Sequence, residues 1–133
     1  MGGRRLTGVL LDTHAWAWSL TGDSRLTASA VRHIDKASAV YVSPISLFEI
    51  GQKVRLGKWR EMEAFIERLP MLLDEQGGRI ATLTPAVALQ AARMDWSHRD
   101  PFDRIIAATA DHYDLLLISA DVVFDGKVPR RQW

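Results

Sequence analysis

The stretch Gly8-Val9-Leu10-Leu11-Asp12-Thr13-His14-Ala15-Trp16 joins a short apolar run to the start of a helix, with an acid at the junction. The run Val9–Leu11 predicts a buried strand, because a continuous apolar segment of this length is too short for a helix. A helix is predicted over 13–20. In an open α/β sheet, ligands bind beyond the carboxyl ends of the strands, where strand passes into helix. Asp12 is therefore a candidate for the chemistry of a site.

The rest of the chain alternates predicted strands with predicted helices. This order favours a central, mostly parallel sheet of four to five strands with helices on both faces. Three dipeptides combine a helix-capping residue with a proline at the first helical position, and each predicts a helix start: Ser43-Pro44, Thr84-Pro85 and Asp100-Pro101. Other helices are predicted over 27–37 and 61–76. Further strands are predicted over 40–42, 80–83 and 115–118, with an edge strand near Val128.

Length and composition indicate one soluble globular domain spanning residues 1–133. The absence of cysteine excludes disulfides and thiolate metal sites, which agrees with a cytoplasmic protein. The apolar run over 8–11 is too short for a signal peptide or a membrane span, so no membrane partner is expected. A net charge of +1 predicts no bulk attraction to nucleic acid. A bound polyanion would therefore need local patches or a metal ion.

Four acids lie next to the ends of predicted strands or the starts of predicted helices. In a parallel sheet, the strand carboxyl ends and the helix amino termini that follow them share one edge. All four acids can therefore reach that edge: Asp12 after the first strand, Glu49 and Asp103 in the early turns of their helices, and Asp121 after the strand at 115–118.

Each acid alone also has a purely structural explanation. Asp12 could cap the helix that follows it. Glu49 could form an ion pair with Lys53, four residues further along the helix. Asp103 could complete a capping-box-like helix start, and Asp121 could be a turn residue. One acid is therefore weak evidence for a site.

The combination of acids is stronger evidence. Two unit charges about 4 Å apart repel by roughly 4 kcal/mol at a surface-like dielectric. A protein keeps such a cluster when a cation offsets the charge or when shared protons take part in a reaction. Asp103 also shares the apolar face of its helix with Ile106, which directs it toward the edge of the core. Oxygen ligands without cysteine suit Mg²⁺ or Mn²⁺.

Four short motifs, in this order along nearly the whole chain, resemble the acidic motifs of PIN-domain ribonucleases, and most closely the VapC toxins of bacterial type II toxin–antitoxin systems. They are Leu-Leu-Asp12-Thr-His, Ser-Leu-Phe-Glu49-Ile-Gly, Asp-Pro-Phe-Asp103-Arg-Ile-Ile-Ala-Ala and Leu-Ile-Ser-Ala-Asp121. The run from His98 to Arg104 is the most specific of them.

The resemblance implies a PIN-like fold and endonucleolytic cleavage of RNA that depends on Mg²⁺ or Mn²⁺. It implies that Asp12 and Asp103 are the principal metal ligands and that Glu49 joins them directly or through water. Asp121, or its neighbour Ser119, would fill the fourth position. Asp100 resembles the helix-capping member of its motif and is not carried over as a ligand.

The resemblance also implies a homodimer in the bacterial cytoplasm, neutralised by a VapB-like antitoxin protein. From the chemistry, we expect in-line attack of water on phosphorus, with a 5′-phosphate and a 3′-hydroxyl as products. A carboxylate not fully engaged by metal, Glu49 or Asp121, would take the proton of the water.

Several residues are secondary candidates. Thr13 is predicted to cap the first helix in place of Asp12 and, with Ser119, is a candidate for substrate contact. Arg104 could contact phosphate or pair with nearby acids. The basic residues around Trp59 could form an RNA-contacting patch with that ring as a stacking platform, or simply a solvated helix end. His14 is expected to be a packing residue.

Other classes of protein remain alternatives. A PIN-like module could bind RNA or protein without cleaving, and a housekeeping nuclease could act without an antitoxin. A phosphatase of the haloacid dehalogenase type would need a second Asp two positions after Asp12, where this chain has His14. A receiver domain would need a phospho-accepting Asp after a central strand with a paired Lys, and neither pattern fits.

Overall fold

The computed structural model describes residues 8–128 and 130–133, which form five parallel strands and six α-helices. The strands are β1 Val9–Leu11, β2 Val40–Val42, β3 Arg79–Ile80, β4 Leu116–Ile118 and β5 Arg131–Gln132. The helices are α1 Thr13–Thr21, α2 Ala28–Lys36, α3 Pro44–Arg55, α4 Leu69–Glu75, α5 Pro85–Arg93 and α6 Pro101–His112. Within the described ranges, no helix has both the length and the apolar character needed to cross a membrane.

The opening strand lies at the centre of the sheet. The strand order is β3-β2-β1-β4-β5, so β1 pairs in parallel with β2 on one side and β4 on the other. The strand order reverses at β1, which makes its carboxyl end the switch point where α/β sheets form ligand crevices. The backbone N–H of Asp12 donates to Ile118 O at 3.1 Å, which extends the pairing one residue beyond the strand. The predicted α/β architecture, a parallel sheet of four to five strands flanked by helices, is confirmed.

The described residues form a small buried cluster between α5 and α6 and two larger ones, which lie on opposite faces of the sheet. Val9 and Leu11 face one of the larger clusters, which is centred on the fully buried Trp16, whereas Leu10 faces the other with Ile106. This alternation follows from the two-residue period of a strand. Because all three residues of β1 are buried, the direction in which the chain leaves β1 is fixed by packing on both faces.

Three predicted elements differ from the structure. The single helix over 61–76 is a 3₁₀ segment, Arg60–Arg68, followed by α4. The break falls just before Pro70, which cannot donate an N–H to a continuing helix. The strand over 80–83 covers only Arg79–Ile80, because the chain turns after Ala81 to reach the cap of α5 at Thr84.

The prediction of an edge strand near Val128 is also wrong. Val128 is buried, and its N–H donates to Phe124 O at 2.8 Å in a turn. The edge strand is β5, three residues further along, which pairs in parallel with β4.

Candidate active site

A cavity of about 460 Å³ opens at the carboxyl edge of the sheet. Among the described residues, its wall includes five acids, two cations and two rings: Asp12, Glu49, Asp100, Asp103 and Asp121, then Arg25, Lys53, His14 and Trp18. The structure therefore brings together the four acids that the sequence singled out.

Asp12 caps α1 as well as facing the cavity. Its Oδ1 accepts a hydrogen bond from the backbone N–H of Ala15 at 2.8 Å. The pKa of Asp12 is raised to about 6, mainly by burial and to a smaller extent by the charges of Asp103 and Glu49. The Ser119 hydroxyl and the N–H of Ala15 act in the opposite direction but do not offset burial. Asp12 is thus held in place by backbone contacts in a setting that disfavours its own negative charge.

The prediction that Thr13 takes over capping is wrong. Asp12 has the extended backbone of a capping residue, whereas Thr13 already belongs to the helix. The buried Thr13 hydroxyl lies 2.9 Å from the hydroxyl of Ser46 in α3. Thr13 lines the cavity, but this bond commits its hydroxyl to joining α1 and α3.

Glu49 forms the ion pair that its sequence position predicts. Its carboxylate lies 3.1 Å from Lys53 Nζ, one helical turn away. The pair is not at an open helix surface, since both residues line the cavity and the Glu49 side chain is 13% exposed. Glu49 can therefore form the ion pair with Lys53 and also belong to the acidic site.

Asp103 has a partner that sequence reasoning missed. Its Oδ2 lies 2.7 Å from His98 Nε2. Burial raises the pKa of Asp103, and the hydrogen bond with His98 lowers it. Asp100 caps α6 as expected, with Oδ1 accepting from the N–H groups of Phe102 and Asp103. The specific motif that contains His98 was recognised, but the spacing of five residues gave no reason to pair this ring with Asp103.

Ser119 acts on two of the acids. It is fully buried at the end of β4, its hydroxyl lowers the pKa of Asp12, and its Oγ accepts from the N–H of Asp121 at 3.0 Å. Asp121 in turn caps a short 3₁₀ segment, Val122–Phe124, and lies at the exposed rim. Ser119 thus acts on the site through its neighbouring acids.

Both predicted roles of Arg104 are wrong. Its guanidinium contacts neither the cavity nor an acid, and instead donates to five backbone carbonyl oxygens at 2.6–3.4 Å: those of Ala91, Ala92, Met94, Trp96 and His98. The last three of these bonds hold the segment 94–100 that delivers His98. Carbonyl partners leave no signal in side-chain patterns, so the sequence did not reveal them.

The predicted stacking role of Trp59 is wrong, because this residue is only 8% exposed. The rings of His14 and Trp59 lie 4.7 Å apart, and Lys53 Nζ lies 5.3 Å from the Trp59 ring. Burial lowers the pKa of His14, and the charge of Lys53 lowers it further. His14 is therefore a neutral packing ring at pH 7, as its sequence position suggested, and it lies between Trp59 and the cavity.

The donor chemistry of the cavity fits a hard divalent cation. The acids supply carboxylate oxygens, and a cation would offset both the burial that is the main reason for the raised pKa of Asp12 and the smaller repulsion from Asp103 and Glu49. Within residues 8–128 and 130–133, only His98, Asp100 and Asp103 offer ligand atoms that all lie within 4.8 Å of one another. The wider spacing of the other acids suits an ion such as Mg²⁺, which keeps several waters.

Comparison with known proteins agrees with this geometry. Residues 9–127 match the family model described as the PIN domain. The chain is 33% identical over 122 residues to Ribonuclease VapC22 of Mycobacterium tuberculosis, an alignment that covers 87% of this chain and 88% of that protein.

Solved structures share the fold. A toxin–antitoxin complex from Klebsiella pneumoniae has a TM-score of 0.65 at 20% identity, covering 94% of this chain and 96% of that chain. FitAB bound to an IR36 DNA fragment scores 0.64 at 21% identity, with 93% of each chain covered. VapBC2 from Rickettsia felis, bound to a promoter DNA fragment, scores 0.63 at 14% identity, covering 95% and 98%. The family match and the relative together establish that this chain belongs to the PIN-domain family, in its VapC branch.

Proposed function

We propose that this chain is a metal-dependent endoribonuclease and the toxin of a toxin–antitoxin module. The observation that carries the proposal is the convergence of Asp12, Glu49, Asp103 and Asp121, from four separate elements, on one cavity. A protein without catalytic or metal-binding use for these acids would gain stability by losing the repulsion among them.

The comparisons support the substrate and the partner. A relative with 33% identity over most of the chain is called a ribonuclease, and solved structures of the same fold include toxin–antitoxin complexes. We accordingly propose RNA as the substrate, a VapB-like antitoxin as the inhibitor, a homodimer as the assembly and the bacterial cytoplasm as the location.

In this proposal Asp12 and Asp103 hold Mg²⁺ or Mn²⁺. One oxygen of each is already hydrogen-bonded, to Ala15 N and to His98 Nε2, so each would bind the ion through its other oxygen. The bound ion would activate a water and neutralise charge on the scissile phosphate.

The remaining acids would complete the site. Glu49 already shares its charge with Lys53, so Asp121 at the rim is the better candidate to accept the proton of the attacking water. Attack on phosphorus by water leaves a 5′-phosphate and a 3′-hydroxyl and needs no 2′-hydroxyl. The products therefore distinguish this route from transesterification.

The test is cleavage of a set of structured RNAs by the purified chain, free of antitoxin, with Mg²⁺, with Mn²⁺ or with EDTA. We expect cleavage only with a metal ion, and a loss of at least about a thousandfold in Asp12→Asn and in Asp103→Asn. Asp74→Asn, which removes an exposed acid of α4 outside the cavity, is the matched control. Cleavage that persists in EDTA, or in either site variant, would refute the mechanism.

Binding of the ion gives a second readout that does not depend on finding the right RNA. We expect Mg²⁺ to raise the melting temperature of the wild type and of Asp74→Asn, but not that of Asp12→Asn. An equal rise in all three proteins would argue against an ion at the acids.

A further inference from the structure

We propose that the part of the cavity wall formed by rings and cations is a nucleotide-binding subsite, which holds one base and the flanking phosphates of a single RNA strand. Four residues form this wall, hereafter the nucleotide wall: His14, Trp18, Arg25 and Lys53. The inference rests on the proposed function, because it names how the substrate of that site is held.

The first argument is the ring surface. The rings of His14 and Trp18 lie 5.6 Å apart, tilted by 54°, and both residues line the cavity. Trp18 is backed by Trp133 at 5.6 Å, and His14 by Trp59 at 4.7 Å. The two outer rings are therefore supported from behind while they remain accessible, because His14 is exposed and Trp18 partly so. Supported, accessible rings are the surfaces on which single-stranded nucleic acids stack their bases.

The second argument is charge. An RNA strand that enters the cavity brings phosphates close to five acids, and the approach is unfavourable unless cations lie beside them. Among the described residues, Arg25 and Lys53 are the cations of the cavity wall. Each also lies over a tryptophan ring, Arg25 at 5.0 Å from Trp18 and Lys53 at 5.3 Å from Trp59. These contacts hold both charges at the wall.

The third argument is that the two adjacent rings have a cation on each side: Arg25 lies over Trp18, and Lys53 lies over Trp59 next to His14. A purely structural role for this arrangement would not require exposure, yet the Arg25 side chain is 62% exposed and its partner Asp23 lies outside the cavity. The cavity volume of about 460 Å³ lies within the usual range for small-ligand sites. The wall can therefore accept a nucleotide without a change of fold.

The test measures binding separately from cleavage. Fluorescein-labelled hexamers of adenosine, of uridine and of abasic ribose phosphate are titrated with the protein in EDTA, at NaCl concentrations from 50 to 200 mM, by anisotropy. We expect His14→Ala to weaken binding of the adenosine hexamer about tenfold and to leave binding of the abasic hexamer unchanged. Arg25→Gln should weaken all three complexes and reduce the slope of log K against log salt by about 0.7.

Matched controls carry the same chemistry elsewhere on the surface. His112→Ala removes an exposed ring at the far end of α6, and Lys58→Gln removes an exposed cation outside the cavity. We expect both to bind like the wild type. The subsite is refuted if His14→Ala weakens the abasic hexamer as much as the adenosine hexamer, or if the wall variants behave like these controls.

The same preparations distinguish this inference from the proposed nuclease activity. If the wild type and its wall variants bind every hexamer equally well, the subsite is refuted, even if Mg²⁺-dependent cleavage is seen. Absence of that cleavage, with His14-dependent binding intact, would refute the nuclease and leave an RNA-binding site.

Discussion

The two acids proposed to hold the metal ion are positioned in different ways. Asp12 follows the central strand of the sheet, where its own backbone extends the pairing and the N–H of Ala15 binds its carboxyl group. Asp103 depends on His98, which lies in a segment without regular secondary structure. Several backbone bonds fix the first acid, whereas the segment that supports the second is held by three carbonyl bonds from Arg104 and one from Lys127.

This difference shows where the site is robust and where it is vulnerable. Around Asp12, the loss of one side chain leaves the strand and its register intact. Around Asp103, a single substitution at Arg104 removes five hydrogen bonds to backbone carbonyl oxygens at once. We therefore expect substitution of the residue that supports the Asp103 side of the site to lower stability more than substitution of a residue that supports Asp12.

The largest effect is expected for Arg104→Gln. Losing the guanidinium leaves several partly buried carbonyl oxygens without donors, which should lower the free energy of unfolding by about 3 kcal/mol. Displacement of His98 should lower the cleavage rate about a hundredfold. Urea unfolding and single-turnover cleavage measure the two effects. Ser119→Ala, on the side of Asp12, should cost only about 1 kcal/mol.

Two variants serve as controls for Arg104. Arg104→Lys keeps the charge but has fewer donors and no planar fork, so it should recover only part of the stability. Arg99→Gln, an exposed arginine of the same segment, should behave like the wild type. A fully stable Arg104→Gln would mean that the carbonyl bonds are not what holds the segment.

An intermediate effect is expected from the pH dependence at Asp12. Its pKa is raised from 3.8 to about 6 on folding, so between these values the folded state keeps a proton that the unfolded state has released. The free energy of unfolding of the metal-free protein should therefore fall as the pH rises from 4 to 6, by about 2 kcal/mol for this group. Urea titrations in EDTA across this range measure the decline.

Asp12→Asn isolates that contribution. The variant cannot ionise at this position, so it should lack this part of the decline and be more stable than the wild type at pH 7, although inactive. Asp74→Asn should follow the wild-type curve. Identical pH curves for the wild type and Asp12→Asn would show that the carboxyl group is not held in an environment that disfavours its charge.

The smallest effect is expected at His98. His98→Ala should lower cleavage about tenfold, and His98→Gln should recover most of it, because glutamine can still donate to Asp103. Loss of the bond that lowers the pKa of Asp103 should also move the half-maximal pH of cleavage upward in His98→Ala. The rate as a function of pH, at saturating Mg²⁺, measures this shift. If the pH profile of cleavage is not shifted in His98→Ala, His98 only packs against its neighbours and does not influence the pKa of Asp103.

Much of the fold follows from local sequence signals. The apolar run at β1 and the cap-proline pairs at Ser43, Thr84 and Asp100 predict a strand and three helix starts that the structure contains. The helix break before Pro70 has a local signal that the predicted helix did not take into account, because proline cannot donate an N–H to a continuing helix. The short β3 has no such signal, because its end depends on how the chain turns to reach the cap of α5.

Of the site, only the acids could be predicted, because their positions along the chain place them beside strand ends and helix starts. Their positions beside strand ends and helix starts led to one cavity, because parallel topology gathers such positions at one edge. The supports of those acids could not be found in this way. Arg104 binds carbonyl oxygens, which every residue has, and Trp59 is removed from the surface by tertiary packing alone.

The carbonyl bonds of Arg104 also bear on how this region would look in hydrogen–deuterium exchange. Within residues 8–128 and 130–133, no backbone N–H of 95–99 donates to another group, while Arg104 and Lys127 occupy the carbonyl oxygens of Asp95, Trp96 and His98. Exchange reports on N–H groups and is blind to occupied carbonyls. Rapid labelling of this segment would therefore not indicate motion, since its backbone is held through carbonyl oxygens, which the method does not detect.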